Sequence, residues 1–143
     1  YEFNPKGSWY KGDAAATCIF EMEDGVVFNY TGSWCAEGFQ TSWNGDWYLT
    51  FTGGGLEYIL DRPPRITHPV PGDESFIRKQ ESRELPLTEV SPGGMGGALK
   101  EMLRFLRTGE KPQTECHDNI KSLAMVFAAM ESSRRRERVT IEI

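Results

Sequence analysis

Residues 14–34 constrain the fold most tightly. Ala14, Ala16, Cys18, Phe20 and Met22 fall on one side of a two-residue repeat, and Thr17, Ile19 and Glu21 on the other. That period belongs to a β-strand with unequal faces. Glu23-Asp24-Gly25 interrupts it, and Asp-Gly is a tight-hairpin dipeptide because glycine accepts a positive φ. Val26 to Trp34 then returns, with Val26, Phe28, Tyr30 and Trp34 on one side. An antiparallel hairpin over Ala14–Trp34 follows.

The residues around it suggest more strands. Tyr1 to Gly12 reads as a lead-in loop, and Cys35 to Asp46 as a longer polar connection. Trp47 to Phe51 forms a third strand, turns at Gly53-Gly54-Gly55 and is followed by Leu56 to Leu60. Pro63, Pro64, Pro69 and Pro71 crowd the next stretch; proline denies a ladder donor, so an edge or an excursion is expected there. Ser75 to Leu87 allows one or two short strands, which makes residues 13–90 the strand-rich part.

Beyond Ser91-Pro92 the period changes. Leu99, Met102, Leu103 and Leu106 repeat at i, i+3, i+4, i+7, the stripe of an amphipathic helix. Thr108-Gly109 closes that helix, since glycine takes the left-handed C-terminal position cheaply. A second helix is predicted from Cys116 or Asp118 to Arg135, which makes 97–136 the helical part. Its main apolar stripe is Ile120, Leu123, Phe127 and Met130, worth roughly 6–12 kcal/mol if fully buried. Ser122, Ala129 and Ser133 lie opposite, all small, as in a helix packed on two sides. Val139, Ile141 and Ile143 alternate with polar residues, so a last strand over 138–143 is expected. Strands, then helices, then a strand give an α+β domain. The predicted architecture is a mostly antiparallel open-faced sheet with two helices on one face and a final short strand.

The totals narrow the function. A length of 143 residues suits one domain, 1–143. With 38% hydrophobic and 26% charged residues, the chain is neither disordered nor fibrous. A net charge of −5 repels phosphate backbones. The only basic cluster, Arg134, Arg135, Arg136 and Arg138, stands where a helix ends and complements its dipole. No nucleic-acid partner is expected. Cys18, Cys35 and Cys116 are too scattered for a disulfide framework or a zinc site, and free thiols fit a reducing, cytoplasmic location. No apolar run would span a bilayer, so no membrane partner is expected.

Candidate chemistry is sparse. Gly93, Gly94, Gly96 and Gly97 precede a helix, but Leu99 stands where G-x-G-x-x-G needs its third glycine. A flexible lead-in is the better reading. Cys116-His117-Asp118 holds every residue type of a nucleophilic triad, yet neighbours on a helix point about 100° apart and cannot converge. Asp118 reads as a cap or first-turn anion. His68 has no visible partner, and two histidines exclude a His-rich metal site. The segment Trp34 to Tyr48 stands out. Trp34, Phe39, Trp43 and Trp47 lie among Gln40, Thr41 and Asn44, the flat rings and oriented polar groups of a pocket for a polyhydroxylated ligand. Aromatic filling of a sheet surface or an oligomer interface explains the same composition.

Leu99 to Ile141 carries a helix, an R-T-G-x-x-P turn, a T-x-C-x-D-N-I helix start and A-A-M-E-S-S-R before a terminal segment. This order resembles the end of the Gfo/Idh/MocA family of glucose–fructose oxidoreductase-like and inositol dehydrogenase-like proteins. "ATCIFEMEDGVVFNYTGSW" and "TSWNGDW" are similar to the family's first sheet strands, whereas Arg62 to Pro92 matches poorly. The resemblance implies a parent NAD(P)-dependent oxidoreductase acting on a sugar, inositol or related polyol. Its N-terminal dinucleotide-binding domain would hold the NAD or NADP. The present chain would be the C-terminal domain that lines the substrate pocket and forms a homo-oligomer through its open sheet face.

The family's glycine fingerprint, catalytic E-K-P lysine and D-x-x-x-H motif do not occur in Tyr1 to Ile143. No catalytic, cofactor-binding or metal residue is therefore assigned, and no cofactor is expected in this chain alone. Substrate-side candidates are Trp34, Gln40, Thr41 and Trp43. The competing class is a stand-alone, non-catalytic carbohydrate-binding or oligomerisation module.

Overall fold

The computed structural model describes residues 1–87 and 93–143; the junction at Ser91-Pro92 and the last residues of the 13–90 strand region lie outside them. The fold is α+β, with seven strands, all antiparallel where they pair, and two helices among the described residues. Two compact units divide the chain: Tyr1–Glu37 with Pro92–Ile143, and Gly38–Ser91. Instead of one sheet there are two, of three and four strands. The reason is local: after the first hairpin, β4 and β5 pair across a two-residue turn, which costs less loop-closure entropy than a return to a distant edge.

The first unit is built on the predicted hairpin. β1 (Glu2–Phe3), β2 (Ala15–Glu21) and β3 (Val27–Ser33) lie in sequence order, and Cys18 pairs with Tyr30 and Phe20 with Phe28. Asp24 and Gly25 both take positive φ, 60° and 76°, which turns the chain in three residues. Helix α1 (Gly94–Thr108) ends on Gly109 at φ 76°, whose N–H donates to the Phe105 carbonyl at 2.8 Å. The glycines expected as a lead-in are mostly part of this helix: Gly94, Gly96 and Gly97 occupy its first turn.

Helix α2 (Cys116–Arg135) packs on one of the two sides expected of it. Its small-residue side meets the sheet: Ser133 Oγ accepts the Glu2 N–H at 2.9 Å, and Ala129 and Met125 are half-buried. The contact is made at β1, where the short Ser133 side chain reaches strand backbone. The large stripe points away, with Leu123 51% and Phe127 59% exposed. Residues 138–143 form no strand. The first part of β2's outer edge is already paired with β1, and Val139 and Ile141 lie half-buried in a shallow groove with Ala124, Phe127 and Ala128 of α2. Arg138 ties this tail to Glu21 at 2.7 Å.

The second unit is a four-stranded meander of β4 (Trp47–Phe51), β5 (Gly54–Tyr58), β6 (Arg65–Pro69) and β7 (Gln80–Glu84). The proline-rich stretch supplies an inner strand, not an edge. Pro63 and Pro64 precede β6, Pro69 ends it and Pro71 follows it, so no proline interrupts its middle. Register puts Trp47, Leu49, Phe51, Leu56, Tyr58 and Ile66 on one face. The other face is polar: Arg65 grips Glu57 through Nε at 2.7 Å, and the hydroxyls of Thr67 and Ser82 meet at 2.8 Å.

Little is buried. Only Ala14 and Ala15 fall below a tenth of their full exposure among the described residues. The chain exposes 12654 Å², about 40% more than the roughly 9,000 Å² that two independent folded units of these sizes would show. None of the apolar residues of α1's stripe is buried: Leu99, Met102, Leu103 and Leu106 are all exposed.

Candidate functional site

The first unit holds a cleft of about 540 Å³ between its sheet and α2. That volume suits a small-molecule pocket. Its floor is the face predicted from the period of two. Cys18 and Phe20 on β2 stand beside Phe28 and Tyr30 on β3, and Met125 and Val126 on α2 close the other side. Phe20 and Phe28 stack at 5.8 Å with their planes 17° apart. The Tyr30 ring lies over Gly32, where any side chain would collide with its hydroxyl. Glu2 and Asp13 are the acidic residues of a wall that is otherwise mostly apolar. The arrangement can hold a flat or apolar ligand face and orient a few hydroxyls. No acid–base pair or nucleophile–base pair is assembled in it.

The four sequence candidates divide between the units. Trp34 lines this cleft and is 68% exposed. Gln40, Thr41 and Trp43 belong to the second unit, on the connection before β4, and all three are exposed, Trp43 by 91%. Neither unit by itself gathers all four.

What the connection does gather is a polar clasp around Asp61. Its Oδ1 accepts from Ser42 Oγ at 2.9 Å, Asn44 Nδ2 at 2.8 Å and the Tyr58 hydroxyl at 2.8 Å. Asp46 accepts the Leu60 N–H at 2.9 Å, and Trp47 Nε1 donates to the Asn44 carbonyl at 2.7 Å. Leu60 and Asp61 both take positive φ to present the carboxylate. Donation from Asn44, Tyr58 and Ser42 holds the Asp61 carboxyl below its ordinary 3.8, and the same bond raises the Tyr58 hydroxyl. These residues escape a reading by spacing, because two of the three donors, Asn44 and Ser42, lie 17 and 19 positions from their acceptor. Only Asn44-Gly45 and Asp61 before Pro63-Pro64 hint at two turns that could meet.

A pH dependence follows from the depressed carboxyl. A group bound more weakly by protons when folded stabilises the fold above its unfolded value and loses that effect as pH falls through the folded one. The clasp should hold at neutral pH and open below 3.8, reported by Trp47 fluorescence. Asp61→Ala should show the opened spectrum already at neutral pH. Identical spectra for the two proteins at neutral pH would remove the clasp from the account.

A third cluster opens α2. Glu115, the N-terminal cap residue, has extended backbone and folds its carboxylate back onto Cys116 and His117. The imidazole beside it holds the Glu115 carboxyl down to about 2. Asp118 takes no part: it is the expected first-turn anion and pairs with Lys121 at 2.7 Å.

Among the described residues, no helix is long and apolar enough to cross a membrane. No family model matches the chain, and no solved structure matches it. An uncharacterised protein, y4oX, of Sinorhizobium fredii (strain NBRC 101917 / NGR234) is 28% identical over 149 residues, a match that takes in 98% of this chain and 39% of that protein. The chain thus spans less than half the length of this relative, and its similarity runs almost from end to end.

Proposed function

We propose that this chain is the substrate-side and oligomerisation domain of a cytoplasmic NAD(P)-dependent oxidoreductase of the Gfo/Idh/MocA type, acting on a sugar, inositol or related polyol. The observation that carries the reading is the uncovered apolar surface. Both helices and one face of the second sheet keep large side chains in solvent, as a wall does before its neighbours are in place. The motif order at Leu99–Ile141 supplies the family, and the relative's additional length leaves room for a dinucleotide-binding domain.

On this reading the dinucleotide-binding domain holds NAD or NADP and the hydride-transfer groups. This domain contributes aromatic and polar side chains: Trp34 in the first unit, and Gln40, Thr41 and Trp43 in the second. The open apolar sheet face of the second unit forms the homo-oligomer contact. The exposure of Trp43 and Phe39 also suits a non-catalytic carbohydrate-binding module, the second reading.

The complete polypeptide encoded by the gene separates the two. It should oxidise a polyol with NAD or NADP, and Trp43→Ala should raise KM about tenfold, the effect of losing roughly 1.4 kcal/mol of ring contact. Sugar binding without nicotinamide-dependent turnover would favour the module. Unchanged constants in Trp43→Ala would remove that residue from the pocket.

A further inference from the structure

We propose that Glu115, Cys116 and His117 form a three-donor site for a borderline transition-metal cation, zinc or cobalt, at the start of α2. A carboxylate oxygen, a thiol sulfur and an imidazole nitrogen lie within 4.8 Å of one another. Cys116 and His117 do meet, contrary to the divergence expected of helical neighbours, whereas Asp118 turns to Lys121. The extended backbone of Glu115 (φ −63°, ψ 143°) brings a third donor from outside the helix.

Two of the three donor separations suit a tetrahedral ion. Zn–S bonds of about 2.3 Å and Zn–N or Zn–O bonds of about 2.0–2.1 Å at tetrahedral angles separate sulfur from the lighter donors by roughly 3.6 Å. Cys116 Sγ lies 3.6 Å from His117 Nδ1 and 3.4 Å from Glu115 Oε1. Glu115 Oε1 and His117 Nδ1 meet directly; to admit an ion the two side chains move apart to the roughly 3.3 Å that separates light tetrahedral ligands, the ion replaces the proton between them, and the thiol also gives up its proton. Mixed sulfur, nitrogen and oxygen donors suit zinc and cobalt and disfavour calcium and magnesium, which take oxygen. His117 is 83% exposed, so an ion has open access. Three protein donors leave one position for water or for a donor from a partner. Against binding stands the positive end of the α2 dipole; the thiolate and carboxylate together offset it.

Titration of the chain with zinc by calorimetry, and with cobalt followed by absorption, tests the site. The expected result is one ion per chain, proton release, and an intense sulfur-to-cobalt charge-transfer band. Cys116→Ser should abolish that band and weaken zinc binding at least tenfold, and His117→Gln should weaken it similarly. His68→Gln and Cys35→Ser should leave both readouts unchanged. All four side chains lie at least partly in solvent, and far-UV circular dichroism checks that each variant folds. Absence of stoichiometric zinc binding, or a thiolate band that survives Cys116→Ser, overturns the proposal.

Discussion

Gly54→Val should unfold the second sheet. Gly54 opens β5 at φ +153°, and a Cβ there would run into the Thr67 carbonyl and lie 3.1 Å from His68 Cα on β6. Both obstacles are backbone, so no rotamer change relieves them. A side chain also disfavours this φ, which is glycine's territory. Strain and overpacking together should cost about 2–5 kcal/mol, a large part of what a unit of this size can hold. Amide exchange should show protection lost at Leu56 and Thr67, while the hairpin of the first unit keeps its own. Gly53→Ala is the control: nothing lies within 4 Å of a Cβ there, and its φ is not positive, so its effect should stay under about 1 kcal/mol. Equal exchange protection in Gly54→Val and the parent chain would contradict the register of β5 against β6.

The sequence made this turn visible as a run of glycines but not which glycine mattered. Local pattern and tertiary packing divide in the same way elsewhere. The hairpin of β2 and β3 was legible to within a residue, because the period of two and Asp24-Gly25 are local statements. Both helix ends were legible for the same reason, with Gly109 closing α1 and Arg134–Arg136 lying at the close of α2. Composition could not tell which face of α2 meets the sheet. Its apolar stripe looks like the buried face, yet Ser133 is the side chain that bonds strand backbone. The tail from Val139 to Ile143 has strand alternation, but only Val139 and Ile141 are half-buried, against α2, and the edge beside it is partly taken. The break between units after Glu37 carries no glycine–proline linker or charge shift to announce it. For the site, composition singled out aromatic and amide residues between Trp34 and Tyr48, whereas the hydrogen bonds that the structure forms on this segment run from Ser42 and Asn44 to Asp61. Long-range hydrogen bonds leave no periodic mark.

The second large effect concerns the uncovered sheet face. Trp47, Leu49 and Phe51 of β4 share it with Leu56, Tyr58 and Ile66, and are 45%, 39% and 59% exposed. The surface in excess of two folded units exceeds the roughly 1,600 Å² that a standard stable interface buries. A two-fold contact presents each residue twice, so Leu49→Lys with Phe51→Lys removes four apolar contacts and places four charges. The expected loss is about 3–5 kcal/mol of association, or a factor of roughly 10²–10⁴ in Kd. Lysine on an edge strand is well tolerated, and the variant should keep its circular dichroism.

Sedimentation velocity of the purified chain and of Leu49→Lys/Phe51→Lys, over a wide concentration range, tests most directly whether these faces are interfaces. The account predicts reversible association of the parent chain and a folded monomer for the variant. A parent chain that stays monomeric at every concentration, or a variant that associates as strongly as the parent, would contradict it.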